Sequence, residues 1–111
     1  MKYSYEFKKD PLGITRLKLS EELSVFSDVF EDISTEEEAD EYIGYIKKVL
    51  EGGYEDFEIT LNATSVCIKK NVTIAEHHYR IDEPFESTME TEEFLELMSV
   101  WKERIAEVFE D

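Results

Sequence analysis

Apolar and polar residues alternate at the start of the chain, with Tyr3, Tyr5 and Phe7 on one side and Ser4 and Glu6 on the other. A period of two is the pattern of a half-buried strand. Lys9-Asp10-Pro11-Leu12-Gly13 follows with turn chemistry, since proline presets φ and glycine takes positive φ without strain. Ile14 to Leu19 alternates again, Leu17 and Leu19 flanking Lys18, so the two runs predict a β-hairpin. The period then changes. Leu23, Phe26, Val29, Phe30 and Ile33 recur at spacings of 3, 3, 1 and 3, a short apolar helical segment. Ser20 is placed to cap it, and Glu21 and Glu22 suit a helix N-terminus.

A clearer start lies at Ser34-Thr35-Glu36-Glu37-Glu38, where Thr35 and Glu38 match a capping box. Ala39, Tyr42, Ile43, Ile46, Val49 and Leu50 share one helical face, and Gly52-Gly53 ends the helix. Glu37, Asp40, Glu41, Lys48 and Glu51 point away from that face, with Tyr45 on the flank. Tyr54 to Leu61 alternates through Phe57, Ile59 and Leu61. Asn62-Ala63-Thr64 reads as a turn. Ser65 to Lys69 puts Val66 and Ile68 opposite Cys67, and Lys70-Asn71 is a tight turn into Val72-Thr73-Ile74. His78 to Ile81 continues the sheet in this reading, and Asp82-Glu83-Pro84 breaks it. Thr91 opens a last helix, with Glu92 and Glu93 in its first turn. Phe94, Leu95, Met98, Trp101, Ile105, Val108 and Phe109 form its apolar stripe. Because strands and helices do not alternate as βαβ units, a parallel sheet is disfavoured. The expectation is one α+β domain over residues 1–111: an antiparallel sheet with an N-terminal β-hairpin and two main helices packed on one face.

Composition sharpens the picture. The 111 residues include 28 Asp and Glu against 12 Lys and Arg, a formal net charge of −16, yet 41% of them are hydrophobic and 13% aromatic. A disordered acidic segment lacks that apolar share. So strong a negative charge disfavours direct binding to nucleic acid or to anionic membranes, both of which rely on Lys and Arg. No apolar run is long enough to span a bilayer, and the first residues lack the apolar stretch of a signal peptide. Cys67 is the single cysteine, so no internal disulfide forms and a reducing cytoplasm is the expected location. There the sequons Asn62-Ala63-Thr64 and Asn71-Val72-Thr73 are chance matches.

The charge is unevenly spread. Residues 1–20 hold five basic and two acidic residues, a balance of +3; residues 21–58 hold two basic and fourteen acidic, a balance of −12; residues 59–111 balance at −7. A solvated helical face tolerates any polar residue, and glutamate is a good helix former. That accounts for single acids better than for −12 in one stretch, since crowded like charges destabilise the compact state. A basic partner that such a field would steer is the simplest reason for it.

Catalytic patterns are sparse. His77 and His78 are neighbours, so on a strand they face opposite ways and do not chelate one metal together. Cys67 has no second cysteine and reads as a small, partly buried strand residue, with no group to orient a Cys67–His dyad. The acidic run lacks calcium-loop spacing, and the glycines at 13, 44, 52 and 53 form no phosphate loop. No G-x-S-x-G or HExxH motif occurs. The chain is expected to be no enzyme and to hold no cofactor and no metal.

The segments "YSYEF", "EADEYIGYIKKVLEGG", "YEDFEITLNATSVCIKKNVTI" and "METEEFLELMSVWKERI" cover most of the chain. In them Asn62-Ala63-Thr64-Ser65 sits between two strands, and Thr91-Glu92-Glu93-Phe94 opens a terminal helix containing Trp101. This arrangement resembles small bacterial immunity proteins of contact-dependent growth-inhibition and similar polymorphic-toxin systems. Residues 81–90 and the "ELSVFSDVF" segment depart from the pattern. The resemblance implies a cytoplasmic protein that binds and neutralises the C-terminal toxin domain of a cognate effector, often a nuclease. An acidic domain would occlude the basic groove that a nuclease needs for phosphates. On that reading the contact residues are Asp28, Glu31, Asp32, Glu37, Asp40, Glu41, Glu55 and Asp56, pairing with Arg and Lys, with Tyr45 as a rigid aromatic anchor. The alternative is a general acidic binding module, or nucleic-acid mimic, acting on a basic host protein. Free in solution the protein is expected to be a monomer or a weak dimer, the latter through Tyr3, Tyr5 and Tyr54.

Overall fold

A computed structural model describes residues 2–9, 11–81 and 85–109, with 108 and 109 described as backbone alone. In chain order the elements are β1 (Glu6–Lys9), β2 (Thr15–Lys18), a 3-10 turn (Glu21–Leu23), α1 (Ser24–Glu31), α2 (Glu36–Leu50), β3 (Asp56–Thr60), β4 (Thr64–Lys69), β5 (Val72–His77), β6 (Glu86–Glu90) and α3 (Thr91–Phe109). β1 and β2 form a separate antiparallel hairpin, and β3-β4-β5-β6 form a four-stranded antiparallel meander. The class is α+β, with three helices.

Alternation in the meander assigns its two faces. Val66, Ile68, Thr73, Ala75, Ser87 and Met89 are buried, beneath the helices. Their neighbours Glu58, Cys67, Ile74 and Thr88 line up across the four strands on the other face, where they are exposed or half-buried. Cys67 is half-buried there. The helices supply Phe26, Val29 and Phe30 from α1, Ala39, Ile46 and Val49 from α2, and Phe94, Leu97, Met98, Trp101 and Ile105 from α3. Phe30 touches both Phe94 and Trp101, at ring-centroid distances of 5.8 and 6.4 Å. The indole N–H of Trp101 donates to the Ile33 carbonyl at 2.8 Å, which satisfies the end of the α1 segment. The hairpin lays Phe7 against Trp101 (6.3 Å), under the Arg104 guanidinium (4.9 Å).

Several expectations change in register. The first strand begins at Glu6 rather than Tyr3, because Tyr3 turns aside to donate its hydroxyl to Glu90 at 2.7 Å. Tyr5 is exposed, with its ring edge-on to Phe7 at 5.8 Å. Ser20 makes no side-chain cap. The chain enters α1 through a 3-10 turn, with the Leu23 N–H donating to the Ser20 carbonyl at 2.9 Å. A donor in the first turn of α1, the Val25 N–H, is met instead by Ser87 Oγ, whose own hydroxyl donates to the Glu22 carbonyl at 2.8 Å. The capping box forms as expected, Thr35 Oγ1 accepting the Glu38 N–H at 3.1 Å. Gly13 and Gly52 take the positive φ their turns require, at 82° and 85°.

β5 stops at His77, so His78 to Ile81 do not extend the sheet. The cause is local: His77 Nδ1 accepts the backbone N–H groups of Tyr79 and Arg80, at 3.1 and 3.0 Å, and withdraws them from any ladder. β6 has no counterpart in the sequence reading. Its inward residues are Ser87 and Met89, so it carries almost no hydrophobic signal. Leu97 belongs to the core although the expected stripe passes over it. Asp10 of the turn, the breaker Asp82-Glu83-Pro84 and the side chains of Val108 and Phe109 lie outside the described residues. No helix among the described residues is long and apolar enough to cross a membrane.

Candidate partner-binding surface

α2 and β3 together build the surface that the acidic stretch supplies. α2 buries Ala39, Ile46 and Val49, half-buries Tyr42 and Ile43, and turns Glu37, Asp40, Glu41, Lys48 and Glu51 to solvent. Gly52 ends it and returns the chain into β3 along its flank. There Tyr45 stacks on Phe57 (4.3 Å, 24°) and Tyr54 stacks on Phe57 (5.3 Å, 26°), a ladder of three rings joining helix to strand. Tyr45 donates its hydroxyl to Glu41 at 2.5 Å. That hydrogen bond, with burial second, raises the Tyr45 phenol above its ordinary range; burial, then the charges of Glu38, Glu41 and Asp32, raises Tyr42. The Tyr45 phenol is thus held neutral, as a donor to Glu41.

Exposed carboxylates lie along the same stretch of chain. Glu37, Glu41, Glu55 and Asp56 form no ion pair with a described residue, and Asp56 stands opposite Lys69 without closing one. β3 is also the outer strand of its sheet. The Leu61 N–H donates to the Thr64 carbonyl at 2.8 Å, which makes 61–64 a hydrogen-bonded pair. Alternation then leaves the backbone N–H and C=O groups of Asp56, Glu58 and Thr60 on the free edge. Acidic side chains on that edge keep like-charged strands away.

The other expected contacts sit differently. Asp28 is half-buried and accepts from Arg80 at 2.7 Å, with Arg16 and His77 each at 3.7 Å. Glu31 accepts from Arg16. Asp32 follows α1 and keeps one carboxylate oxygen buried without a hydrogen-bond partner. Asp40 pairs with Lys102 at 2.6 Å, and that hydrogen bond raises the Lys102 ammonium. The structure thus joins Glu41 to the aromatic ladder through Tyr45, sets Asp56 on the face of β3 opposite Phe57, and commits Asp28, Glu31 and Asp40 to basic residues of the same chain. Sequence reasoning missed Phe57 and Tyr54 as partners of Tyr45. The signal was faint: a Phe in a strand and a Tyr just before it, distant in sequence from the helix they meet.

Chemistry elsewhere is limited to single pairs. His77 faces α1, whereas His78 leaves the strand end and lies 2.5 Å from Ser65 Oγ. A working nucleophile needs its base oriented by a third group and donors for the developing oxyanion. Among the described residues His78 bonds no carboxylate, and no group of three or more His, Cys, Asp or Glu is placed to hold a metal ion. The chain matches no protein family, no curated protein and no solved structure.

Proposed function

We propose that this protein is an immunity protein, one that binds and neutralises a bacterial toxin domain with a basic surface through the α2–β3 face. What supports the reading is one arrangement: carboxylates of α2 and β3 that form no ion pair with a described residue, on the two elements that carry the stacked rings of Tyr45, Phe57 and Tyr54. Energetic centres of interfaces combine a rigid aromatic anchor with a desolvating surround. Unpaired surface acids add long-range attraction for a basic partner. No catalysis by this chain is required, because occupying the phosphate-binding groove of a nuclease suffices to block it. Action in the cytoplasm follows from the same reading.

The test is to express the domain encoded immediately upstream, alone and together with this protein, and to score growth, co-purification and RNA or DNA integrity. Lethality alone, with rescue by a stable complex, is the expected result. Replacing Glu37, Glu41, Glu55 and Asp56 by Lys should weaken that complex at least about tenfold, the equivalent of about 1.4 kcal/mol spread over four charges. A lethal domain that is neither bound nor neutralised overturns the reading. Capture of a basic host protein in its place would identify a general acidic binding module.

A further inference from the structure

The hairpin carries the opposite charge to the rest of the chain, and it forms one wall of a cleft of about 480 Å³ against α1. Five of the 12 Lys and Arg residues line it: Lys8, Lys9, Arg16, Lys18 and Arg80. The carboxylates among its described lining residues are Asp28 and Glu21, and Glu31 reaches Arg16 from beside it, so the described groups keep a surplus of two positive charges on a chain of formal charge −16. Two features separate this from scattered surface lysines. First, the guanidiniums are preorganised. Arg80 is held between Asp28 (2.7 Å) and Ser24 Oγ (2.8 Å), and Arg16 is held by Glu31 with Asp28 at 3.7 Å. Second, the ladder places Lys8 directly opposite Arg16. Like charges directly across a strand pair are destabilising, and an anion seated between them relieves that cost. Lys8 has one loose partner, Glu6 at 3.4 Å, while Lys9 and Lys18 form no ion pair with a described residue. The hydroxyls of Ser24 and Ser27 add neutral donors to the same wall.

We infer that this cleft binds a small phosphate-bearing anion. Arginine forks and lysine ammonium groups together are the chemistry of phosphate recognition. The volume falls in the range of small-molecule pockets, about 300–1,000 Å³. A polyanion such as nucleic acid is excluded from this role, because its length would carry it across the acidic remainder of the surface. The site is separate from the α2–β3 face, and its test involves no protein partner.

The probe is sodium pyrophosphate, titrated at low ionic strength while the backbone amide resonances are followed, with sodium chloride and sodium citrate at matched ionic strength as controls. Saturable shifts at Arg16, Ser24 and Ser27 are expected with pyrophosphate, weakening as salt is added. The double variant Lys9→Gln/Lys18→Gln changes two exposed residues and should keep its melting temperature while binding about tenfold more weakly. Three results overturn the assignment: shifts no larger than those caused by chloride, shifts matched by citrate, or the same affinity in the double variant.

Discussion

Asp28 divides the acids of this protein into those that hold the fold and those that face outward, and Asp28→Asn tests the division. Its side chain is 21% exposed and Arg80's is 24%, so their 2.7 Å contact is largely shielded from water. Asparagine preserves the shape and one acceptor but removes the charge. A hydrogen bond to a charged group contributes about 1.5–3 kcal/mol and a neutral one about 0.5–1.5, so the exchange should cost about 1–2 kcal/mol. For a chain of this length that lowers the melting temperature by about 4–8 °C. The contrasting variant replaces Glu37, Glu41 and Glu55 by Gln and Asp56 by Asn. Those acids have no basic partner among the described residues, and the amide introduced by Glu41→Gln still offers Tyr45 an acceptor. This variant should therefore melt at the parent temperature or above it as self-repulsion falls. Thermal and urea denaturation by circular dichroism at pH 7 and low salt reads both. If Asp28→Asn stays within about 0.5 kcal/mol of the parent, or the quadruple variant is the less stable of the two, the ion-pair network is not structural. Asp28 then rejoins the acids available to a partner.

Other outcomes follow from the core and the titrating groups. Trp101→Phe strands the buried Ile33 carbonyl and should cost about 2–4 kcal/mol, seen as a lower urea midpoint; an unchanged midpoint would mean the carbonyl finds another donor. Tyr3, Tyr42 and Tyr45 have folded-state phenols raised above 10.0, so the stability they contribute is fully present below that pH and is lost as pH rises through their folded values. Absorbance near 295 nm should therefore show part of the tyrosine signal titrating late, and Tyr45→Phe should remove some of that late fraction; a single ordinary transition for every tyrosine refutes it. Glu90 is held below its ordinary 4.5 by hydrogen bonds from Lys2 and then Tyr3, so the anchoring of the N-terminal residues is present above that pH and lost as pH falls through the folded value. Amide exchange at Tyr3 measured down a pH series, with Glu90→Gln as reference, checks this; identical exchange in parent and variant at pH 7 argues against it.

Elements whose local chemistry and burial agree were legible in the chain. The capping threonine, the apolar face and the closing glycines of α2 all act within a few residues, as does the turn at Gly13. The apolar stripe of α3 is strong enough to read even with Leu97 overlooked. The same holds for the acidic balance of residues 21–58, which is arithmetic on side chains that water leaves exposed. Elements stabilised from a distance were not legible. β6 pairs with β5 through residues that are mostly polar, and its buried Ser87 exists to meet backbone groups at the start of α1, a demand visible once the two are adjacent. β5 ends at His77 because a ring nitrogen competes for two amide protons, which hydrophobic periodicity does not report. The candidate surface divides in the same way. That acids would crowd α2 and the start of β3 was determined by composition. Which of them face solvent alone, and which are taken by Arg16, Arg80 or Lys102, depended on where the hairpin, α1 and α3 came to rest. Ion pairing and ring stacking act over a few ångströms in space, and the sequence orders residues along the chain alone; the packing of distant segments therefore decided both the Tyr45–Phe57–Tyr54 ladder and the basic cleft.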